Sequence, residues 1–283
     1  MKRDIKLEVC LMRFNLISDL MPASSVDLQD RGLHYGDGVF ETLLLHNGEI
    51  KYWNEHFDRL SFSADKLHIA CPKKSWIEQQ LKLYIELNRT LILKIILNRG
   101  NGGRGLLLPE DGTPNIVMLK YDYKLPDIYQ PVNTIISEIA LPLNSNLAGL
   151  KHTNRLDNIL AIERLKKHPA ANEAILCDTD GFLVEGLVNN LFFIRRNEVY
   201  TPALDQSGVD GIMRNLIIKK LNEDAIKVHI DRFTVQKLID SDECFMCNSV
   251  QGIRPITRID NTHFELGPIT QKLQHSFSGH TVN

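Results

Sequence analysis

Leu147-Ala-Gly-Leu-Lys-His-Thr-Asn-Arg-Leu-Asp157 is the stretch on which the interpretation of this chain depends, because it places Lys151 directly after four small or apolar residues. Apolar surroundings disfavour an ammonium ion and lower the pKa of a lysine. A neutral amine is the form that attacks a carbonyl to make a Schiff base. The same pattern is also typical of a solvated lysine ahead of a helix, so other segments have to decide between the two.

A glycine-flanked turn, Gly208-Val-Asp-Gly-Ile212, is the second segment that suggests chemistry. It leads directly into a predicted helix, Ile212–Asn222. Unpaired backbone N–H groups and the helix dipole make such a point a binding site for an anion. An ordinary loop-to-helix turn can have the same sequence, so this segment alone leaves a phosphate site and a plain turn both open.

Two polar residues precede or begin the predicted strand Leu191–Ile194, namely Glu185 and Asn190. A carboxylate placed against a pyridine nitrogen keeps that nitrogen protonated and allows the ring to accept electrons. Turn chemistry at the start of a strand explains the glutamate equally well. The pair is therefore a candidate for binding an aromatic nitrogen base, with a structural role as the alternative.

Two arginines are candidate ligands for anions. Arg59 lies in His56-Phe-Asp-Arg-Leu60, and its planar guanidinium could bind a phosphate through two bonds, although a helical arginine is usually solvated. Arg104 lies in the glycine-rich Asn98–Gly105, whose spacing fits neither a P-loop nor a dinucleotide motif. This segment predicts either a mobile loop that brings Arg104 to a carboxylate or a flexible surface hairpin.

The composition narrows the classes of function. The 283 residues are 43% hydrophobic, enough for a core and near the size at which chains divide into two domains. A net charge of -2 gives no reason to expect nucleic acid as a partner, and no apolar run approaches the roughly 20 residues of a membrane span. Five cysteines favour a reducing cytoplasm over a disulfide framework. The Cys244-x-x-Cys247 pair lacks further ligands, so no metal is predicted.

The hydrophobic pattern predicts two α+β domains, residues 1–121 and 133–283, joined by a linker at residues 122–132. Asn47-Gly48 predicts a hairpin turn between two early strands. The predicted strands are Leu7–Leu11, Val39–Leu45, Ile50–Trp53, Leu91–Leu97, Ile116–Leu119, Thr134–Ala140, Ala174–Cys177, Leu191–Ile194 and Cys244–Cys247. The predicted helices are one with Leu60, Ala64, Leu67 and His68 on a single face, then Trp76–Leu87, Arg155–Lys167, Ile212–Asn222 and Val235–Ile239.

The order of these segments resembles that of one enzyme family. Tyr35-Gly-Asp-Gly-Val-Phe-Glu-Thr42, then His56–Leu60, Lys151, Glu185 with Asn190, and Gly208–Ile212 are similar to the fold-type IV pyridoxal-phosphate enzymes. That family includes branched-chain aminotransferases, D-amino-acid aminotransferases and aminodeoxychorismate lyases. The resemblance extends from about Val26 to Pro255. It implies a two-domain α+β fold, with a smaller N-terminal α/β domain and a larger C-terminal domain that has a β-barrel-like core.

The resemblance also implies a cofactor, pyridoxal 5'-phosphate, and a role for each candidate. Lys151 matches the Schiff-base lysine, Glu185 the partner of the pyridine nitrogen, and Arg59 the phosphate ligand. Further cofactor contacts are implied for Asn190, Gly211, Ile212, Asn248 and Ser249, and substrate contacts for Tyr35 and Arg104. Family members are homodimers in which a loop of one subunit closes the site of the other, and Arg104 is expected on or near that loop.

Three long segments resemble the aminodeoxychorismate lyases within the family: Arg99–Gly105, Leu147–Leu156 and Tyr200–Arg214. They imply conversion of the small molecule aminodeoxychorismate to 4-aminobenzoate and pyruvate. A D-amino-acid or branched-chain aminotransferase is the alternative, and a protein that only binds ligands is the other class. Gln251 and Arg254 stand where such lyases often have small or apolar residues.

Overall fold

The computed structural model describes residues 8–13, 21–23, 26–102, 104–109, 112–125 and 130–278. Contacts between Cα atoms group the chain into two compact units. The first unit contains Met1–Leu125 together with Lys151–Asn154, and the second contains Pro126–Leu150 with Arg155–Asn283. Both units combine helices with a sheet, which confirms the predicted α+β class.

The first unit is built on a six-stranded antiparallel sheet with the strand order β2-β1-β6-β5-β3-β4. Its strands are β1 (Glu8–Arg13), β2 (Met21–Ala23), β3 (Gly38–His46), β4 (Glu49–Ile50), β5 (Thr90–Asn98) and β6 (Asn115–Asp122). Its helices are α1 (Arg31–Tyr35), α2 (Trp53–Lys66) and α3 (Lys74–Leu81), and a 3₁₀ turn (Lys82–Tyr84) follows α3.

Alternation along β3 and β5 explains how this sheet is packed. Successive side chains of a strand point to opposite faces, and Leu43 and Ile95 are fully buried in one apolar cluster with Leu60 of α2 and Ile77 of α3. The intervening residues of β5 are half-buried. The sheet therefore has one face covered by helices and a second face on which polar residues can lie.

The predicted hairpin is confirmed at Asn47-Gly48. Both residues have positive φ, 50° and 84°, and His46 pairs with Glu49 across the turn, as a two-residue turn of this kind requires. The predicted strand Ile50–Trp53 is wrong beyond its first residue. The strand ends at Ile50 because Tyr52 adopts a left-handed conformation (φ 56°), and α2 begins at Trp53.

The two predicted helices of this unit are shorter than expected. His68 has φ 52° and is exposed, so it lies beyond α2 and not on its apolar face. The helix predicted to reach Leu87 ends at Leu81 and tightens into the 3₁₀ turn, and Leu87 is 75% exposed. Periodicity identified both helices, but it overestimated their C-terminal ends.

The second unit contains a nine-stranded sheet with the order β12-β11-β10-β13-β14-β7-β8-β9, and β15 pairs with β14. The strands are β7 (Val132–Ile136), β8 (Glu173–Cys177), β9 (Leu183–Gly186), β10 (Asn190–Arg195), β11 (Glu198–Pro202), β12 (Val228–Asp231), β13 (Glu243–Asn248), β14 (Gly252–Ile259) and β15 (Thr262–His263). The helices are α4 (Leu156–Leu165), α5 (Ile212–Glu223), α6 (Val235–Ile239) and α7 (Pro268–Ser278).

This sheet curls back on itself. Although β9 is a terminal strand in the sheet order, the Gly186 N–H donates to the Asn189 carbonyl at 2.7 Å, just before β10 begins. The edge strand thus meets the far half of the same sheet, in a half-barrel. Stacked rings of Phe192 and Phe245 lie 4.9 Å apart on adjacent strands of its core.

Two predictions for this unit are corrected. The strand predicted as Thr134–Ala140 runs instead from Val132 to Ile136. In α4 the predicted apolar face does not form the core, since Leu156, Ile159 and Leu160 are 72%, 52% and 52% exposed. The buried residues of this helix are Asn158 and Ala161, because the small side of α4 is the one that approaches β8.

The predicted domain limits remain a prediction. Strand β6 extends to Asp122, the first residue of the expected linker, and residues 126–129 lie outside the described part of the chain. Among the residues that the structure describes, no helix combines the length and apolarity needed to cross a bilayer.

Two glycines with nearly the same φ provide a test of local strain. A Cβ on Gly100 (φ 80°) would lie 1.8 Å from the Thr113 carbonyl oxygen, whereas a Cβ on Gly181 (φ 84°) would meet nothing within 4 Å. We expect Gly181→Ala to lower the unfolding free energy by about 1–2 kcal/mol, from φ alone. Gly100→Ala should cost about 3 kcal/mol or more, because the backbone has to move. Equal losses in urea unfolding would contradict the clash.

Candidate active site

Lys151 is held in the first unit by backbone pairing with the start of β3. Its carbonyl accepts from the Phe40 N–H at 2.9 Å, and the Thr153 N–H donates to the Gly38 carbonyl at 2.9 Å. Its side chain is half-buried, and Nζ lies 4.5 Å from the centroid of the Phe40 ring. The main chain therefore determines where the amine can reach, and the lysine is not a fully solvated one.

A second amine lies beside the same aromatic ring, and the sequence did not point to it. Nζ of Lys94 is 4.8 Å from the Phe40 centroid, on the face of β5 away from α2. Burial lowers the pKa of Lys94. Both amines therefore contact one aromatic ring, at 4.5 and 4.8 Å from its centroid. One feature of the sequence could have identified Lys94: it is the single lysine in the apolar run Leu91–Leu97. Because successive side chains of a strand point to opposite faces, its position places it on the face that the helices do not cover.

Arg59 forms a two-bond ion pair with Glu41. Arg59 lies on α2, and its Nε and Nη2 donate to the two carboxylate oxygens of Glu41 on β3, at 2.8 and 2.6 Å. Glu41 is 1% exposed. The pair fixes the plane of the guanidinium, because the fork geometry of arginine matches a carboxylate. The sequence predicted the arginine but not this partner.

His56 completes this buried group. Its Nδ1 lies 2.6 Å from Oε2 of Glu41, and its Nε2 is buried with no hydrogen-bond partner within the described ranges. Burial would raise the pKa of Glu41, but the charge and hydrogen bonds of Arg59 and the bond from His56 lower it to about 2. Burial, together with the charges of Arg59 and Lys151, lowers the pKa of His56 against the effect of Glu41. A neutral imidazole therefore donates to an anionic Glu41.

Tyr35 and the loop that carries Arg104 are both attached to the buried Arg31. The guanidinium of Arg31 lies 4.8 Å from the Tyr35 ring centroid, and its Nη1 donates to the carbonyls of Gly105 and Leu107 at 3.1 and 3.2 Å. Arg104 itself is exposed. The three leucines that follow it, residues 106–108, are 78%, 83% and 58% exposed.

In the second unit, Glu185 and Asn190 hold the same peptide segment. Oε2 of Glu185 accepts from the Val209 N–H at 2.8 Å, and Nδ2 of Asn190 donates to the Val209 carbonyl at 2.9 Å. Two predicted site residues, widely separated from position 209 in sequence, thus fix the turn before α5. Neither is a solvated strand-end residue, since both are about 95% buried.

Helix α5 begins next to Asn190. A Cβ on Gly211 would lie 1.8 Å from Oδ1 of Asn190, so only glycine allows this approach. Gly211 is the N-cap and provides no side-chain acceptor to the first N–H groups of the helix, which starts at Ile212. An anion could satisfy those groups, because the positive end of the helix dipole lies there.

Asn248 and Ser249 lie at the same edge of the sheet. Asn190 pairs with Cys247 across β10 and β13, so the turn after Asn248 follows directly beside it. Oδ1 of Asn248 accepts from the backbone N–H groups of Val250 and Gln251 at 2.9 and 2.7 Å. The Asn248 side chain therefore shapes its own turn.

A model of the family described as amino-transferase class IV matches residues 38–259. The chain belongs to the class IV aminotransferase family. It is 30% identical over 263 residues to the aminodeoxychorismate lyase of Vibrio harveyi, covering 90% of this chain and 96% of that protein. It is also 30% identical over 271 residues to a D-alanine aminotransferase of Listeria monocytogenes, covering 90% of each.

Structural comparison agrees with this family. The crystal structure of 4-amino-4-deoxychorismate lyase from Pseudomonas aeruginosa superposes with a TM-score of 0.83 at 29% identity, covering 91% of this chain and 96% of that one. The resemblance inferred from the residue motifs is thereby confirmed at the level of family and fold. The roles of individual residues remain predictions.

The cysteines of this class IV aminotransferase are buried or half-buried where described. Cys244 and Cys247 lie in β13 and point into the unit, and burial raises the pKa of both thiols. Across the described ranges, no three histidine, cysteine or acidic residues cluster in a way that could hold a metal ion.

The buried Glu41 predicts a specific loss of stability in acid. Its pKa in the folded chain, about 2, lies below the ordinary 4.5, so its contribution is complete above pH 4.5 and is lost as the pH falls towards 2. The contribution should be about 3 kcal/mol. We expect the difference in unfolding free energy between the parent chain and Glu41→Gln to be constant near neutrality and to shrink in this window. A difference independent of pH would contradict the assignment.

Proposed function

We propose that this protein is an aminodeoxychorismate lyase, which converts 4-amino-4-deoxychorismate to 4-aminobenzoate and pyruvate, a step of folate biosynthesis. The observation that carries the proposal is the placement of Lys151. The lyase-like segment Leu147–Leu156 pairs with β3 through its backbone and sets the amine over the Phe40 ring. The chain is 30% identical to the Vibrio harveyi lyase, and the match covers 96% of that protein, which supports the same reaction.

We propose pyridoxal 5'-phosphate as the cofactor, as the family resemblance implies. In the first unit, the Lys151 amine suits its aldehyde and the oriented Arg59 guanidinium suits its phosphate. In the second unit, the uncapped start of α5 at Gly211 and Ile212 offers N–H donors to a phosphate, and Ser249 offers its hydroxyl. The fit rests on this donor set, since Gly211 provides no side-chain acceptor to the first N–H groups of α5.

Each residue has a defined task in the proposed reaction. When bound, the cofactor supplies a protonated ring that accepts the electron pair left by C–H cleavage next to the substrate amine. Nζ of Lys151 takes that proton, which requires a neutral amine. Glu185, oriented by the Val209 N–H, keeps the ring nitrogen protonated.

Tyr35 and Arg104 are proposed to contact the substrate. Arg31 contacts the Tyr35 ring and binds the loop after Arg104, so the two substrate residues are positioned by one buried side chain. Arginine suits the carboxylates of aminodeoxychorismate because its fork binds them through two bonds. We also propose a homodimer, for which the exposed apolar side chains of α4 and of residues 106–108 provide candidate contact surfaces.

A D-alanine aminotransferase is the second candidate. It is favoured by the identity to the Listeria monocytogenes enzyme, which equals that to the lyase. Both activities begin with the same proton transfer at Lys151 and differ in where the proton returns and which bond breaks. Branched-chain substrates are the remaining alternative within the family.

Lys151→Ala should abolish the visible absorbance that purified protein acquires with pyridoxal 5'-phosphate, because the amine proposed to form the Schiff base is lost. Lys166→Ala is the matched control, since Lys166 is an exposed lysine paired with Glu163 on α4. The control should keep the parent spectrum. An unaltered spectrum in Lys151→Ala would remove Lys151 from its proposed role.

The proposed activity is tested by supplying the loaded enzyme with aminodeoxychorismate and measuring 4-aminobenzoate by its fluorescence. A parallel incubation with D-alanine and a keto acid measures transamination. The lyase proposal expects turnover in the first assay at least about a hundredfold above the second, a difference of about 3 kcal/mol in barrier. Transamination without 4-aminobenzoate would establish the alternative.

A further inference from the structure

Glu173 is a buried carboxylate with three hydrogen-bond donors directed at it. It is 4% exposed, and its Oε1 accepts from the Ala174 and Leu187 N–H groups at 3.0 and 2.9 Å. Its Oε2 accepts from Nδ2 of Asn189 at 2.5 Å. Burial raises the pKa of Glu173, and these three donors oppose that shift. The residue therefore acts as an acceptor that organises the loop between β9 and β10.

Asn189 connects Glu173 to another turn through hydrogen bonds of its side-chain amide. Because its Nδ2 faces Glu173, its Oδ1 points the other way and accepts from Nδ2 of Asn248 at 2.7 Å. Asn248 then accepts with Oδ1 from two backbone N–H groups of its own turn, Val250 and Gln251. Glu173 thus orients the Asn189 amide, and the Asn189 amide orients the Asn248 amide. The relay runs from Glu173 through Asn189 to the turn Asn248–Gln251.

The relay ends beside residues that are proposed to bind phosphate. Asn189 immediately precedes Asn190, whose Oδ1 lies against Gly211 at the start of α5. Cys247, which precedes the turn, pairs with Asn190 across the sheet. The turn and the helix start are therefore neighbours within the second unit.

We propose that Asn189, supported by Glu173, is a positioning residue for the cofactor phosphate. It holds the turn Asn248–Gln251 in the arrangement that presents the Ser249 hydroxyl to the anion. This inference rests on the proposed use of pyridoxal 5'-phosphate. It adds two residues that the sequence motifs did not identify, and it assigns the Asn248 side chain to the turn and not to the ligand.

A structural role alone would give a different pattern of ligand binding. If the relay only stabilises the unit, its loss weakens binding of every ligand alike. If it positions phosphate donors, its loss weakens pyridoxal 5'-phosphate and leaves pyridoxal, which has the same aldehyde and ring but no phosphate, nearly unaffected. The ratio of the two dissociation constants therefore separates the two roles.

The experiment compares Asn189→Ala with Asn158→Ala in the cofactor-free full chain. Asn158 is a matched control, because it is 8% exposed and donates from Nδ2 to the Leu187 carbonyl of the same loop, but has no bond to the Asn248 turn. Both dissociation constants are measured by absorbance titration after thermal melting has established that each variant is folded.

Asn189→Ala should raise the dissociation constant for pyridoxal 5'-phosphate about tenfold or more, as loss of an orienting partner does at metal sites. Its constant for pyridoxal should change less than about twofold, and Asn158→Ala should keep the parent ratio. Asn189→Ser provides the same test if the alanine variant does not fold, since its hydroxyl is too short to bridge Glu173 and Asn248. An unchanged ratio in the folded variant overturns the inference. Failure of the parent chain to bind pyridoxal 5'-phosphate would instead overturn the proposed function.

Discussion

The return of four residues to the sheet of the first unit is the constraint on which the candidate site depends. The chain on both sides of residues 151–154 belongs to the second unit, which resumes at Arg155. Residues 151–154 belong to the first unit, where they pair with the start of β3. A lysine side chain is long and flexible, so a reactive amine needs a fixed backbone if its position is to be reproducible. Two main-chain hydrogen bonds provide that without involving the side chain.

Around this anchor the unit buries charge in compensated groups. Arg59 and His56 both bond to the Glu41 carboxylate, and Arg31 and Arg99 both bond to Asp37, whose pKa their guanidinium groups lower against the effect of burial. Removing one member of such a group is costly because the remaining charge stays buried. Both groups are therefore sensitive to the loss of any one charged member.

The sequence predicted those elements of the fold that depend on interactions between residues close together in the chain. The Asn47-Gly48 turn, the strand Leu91–Leu97 and the helix at Ile212 follow from φ preferences and periodicity, and the motif order was sufficient for the family. What could not be predicted depends on contacts between distant segments. Glu41 had the sequence context of an ordinary strand residue, and its importance arises only because α2 brings Arg59 and His56 to it.

Dependence on contacts between distant segments also explains which predictions were wrong or missing. In α4, periodicity showed an apolar face correctly but not which direction it points, since Asn158 and Ala161 form the side that packs. Asn189 had no signal of its own, because its partners Glu173 and Asn248 lie 16 and 59 residues away. The sequence shows which residues can donate or accept hydrogen bonds, but the folded structure determines which of them pair.

The attachment of residues 105 and 107 to the buried Arg31 has a consequence for molecular recognition. Flexible loops usually become ordered when they bind, and that loss of freedom weakens binding. Here the carbonyls on either side of Leu106 are already bonded to a guanidinium that is itself fixed by Asp37. Binding at these three leucines would therefore not have to order the main chain first, and the conformational cost that remains is that of the side chains.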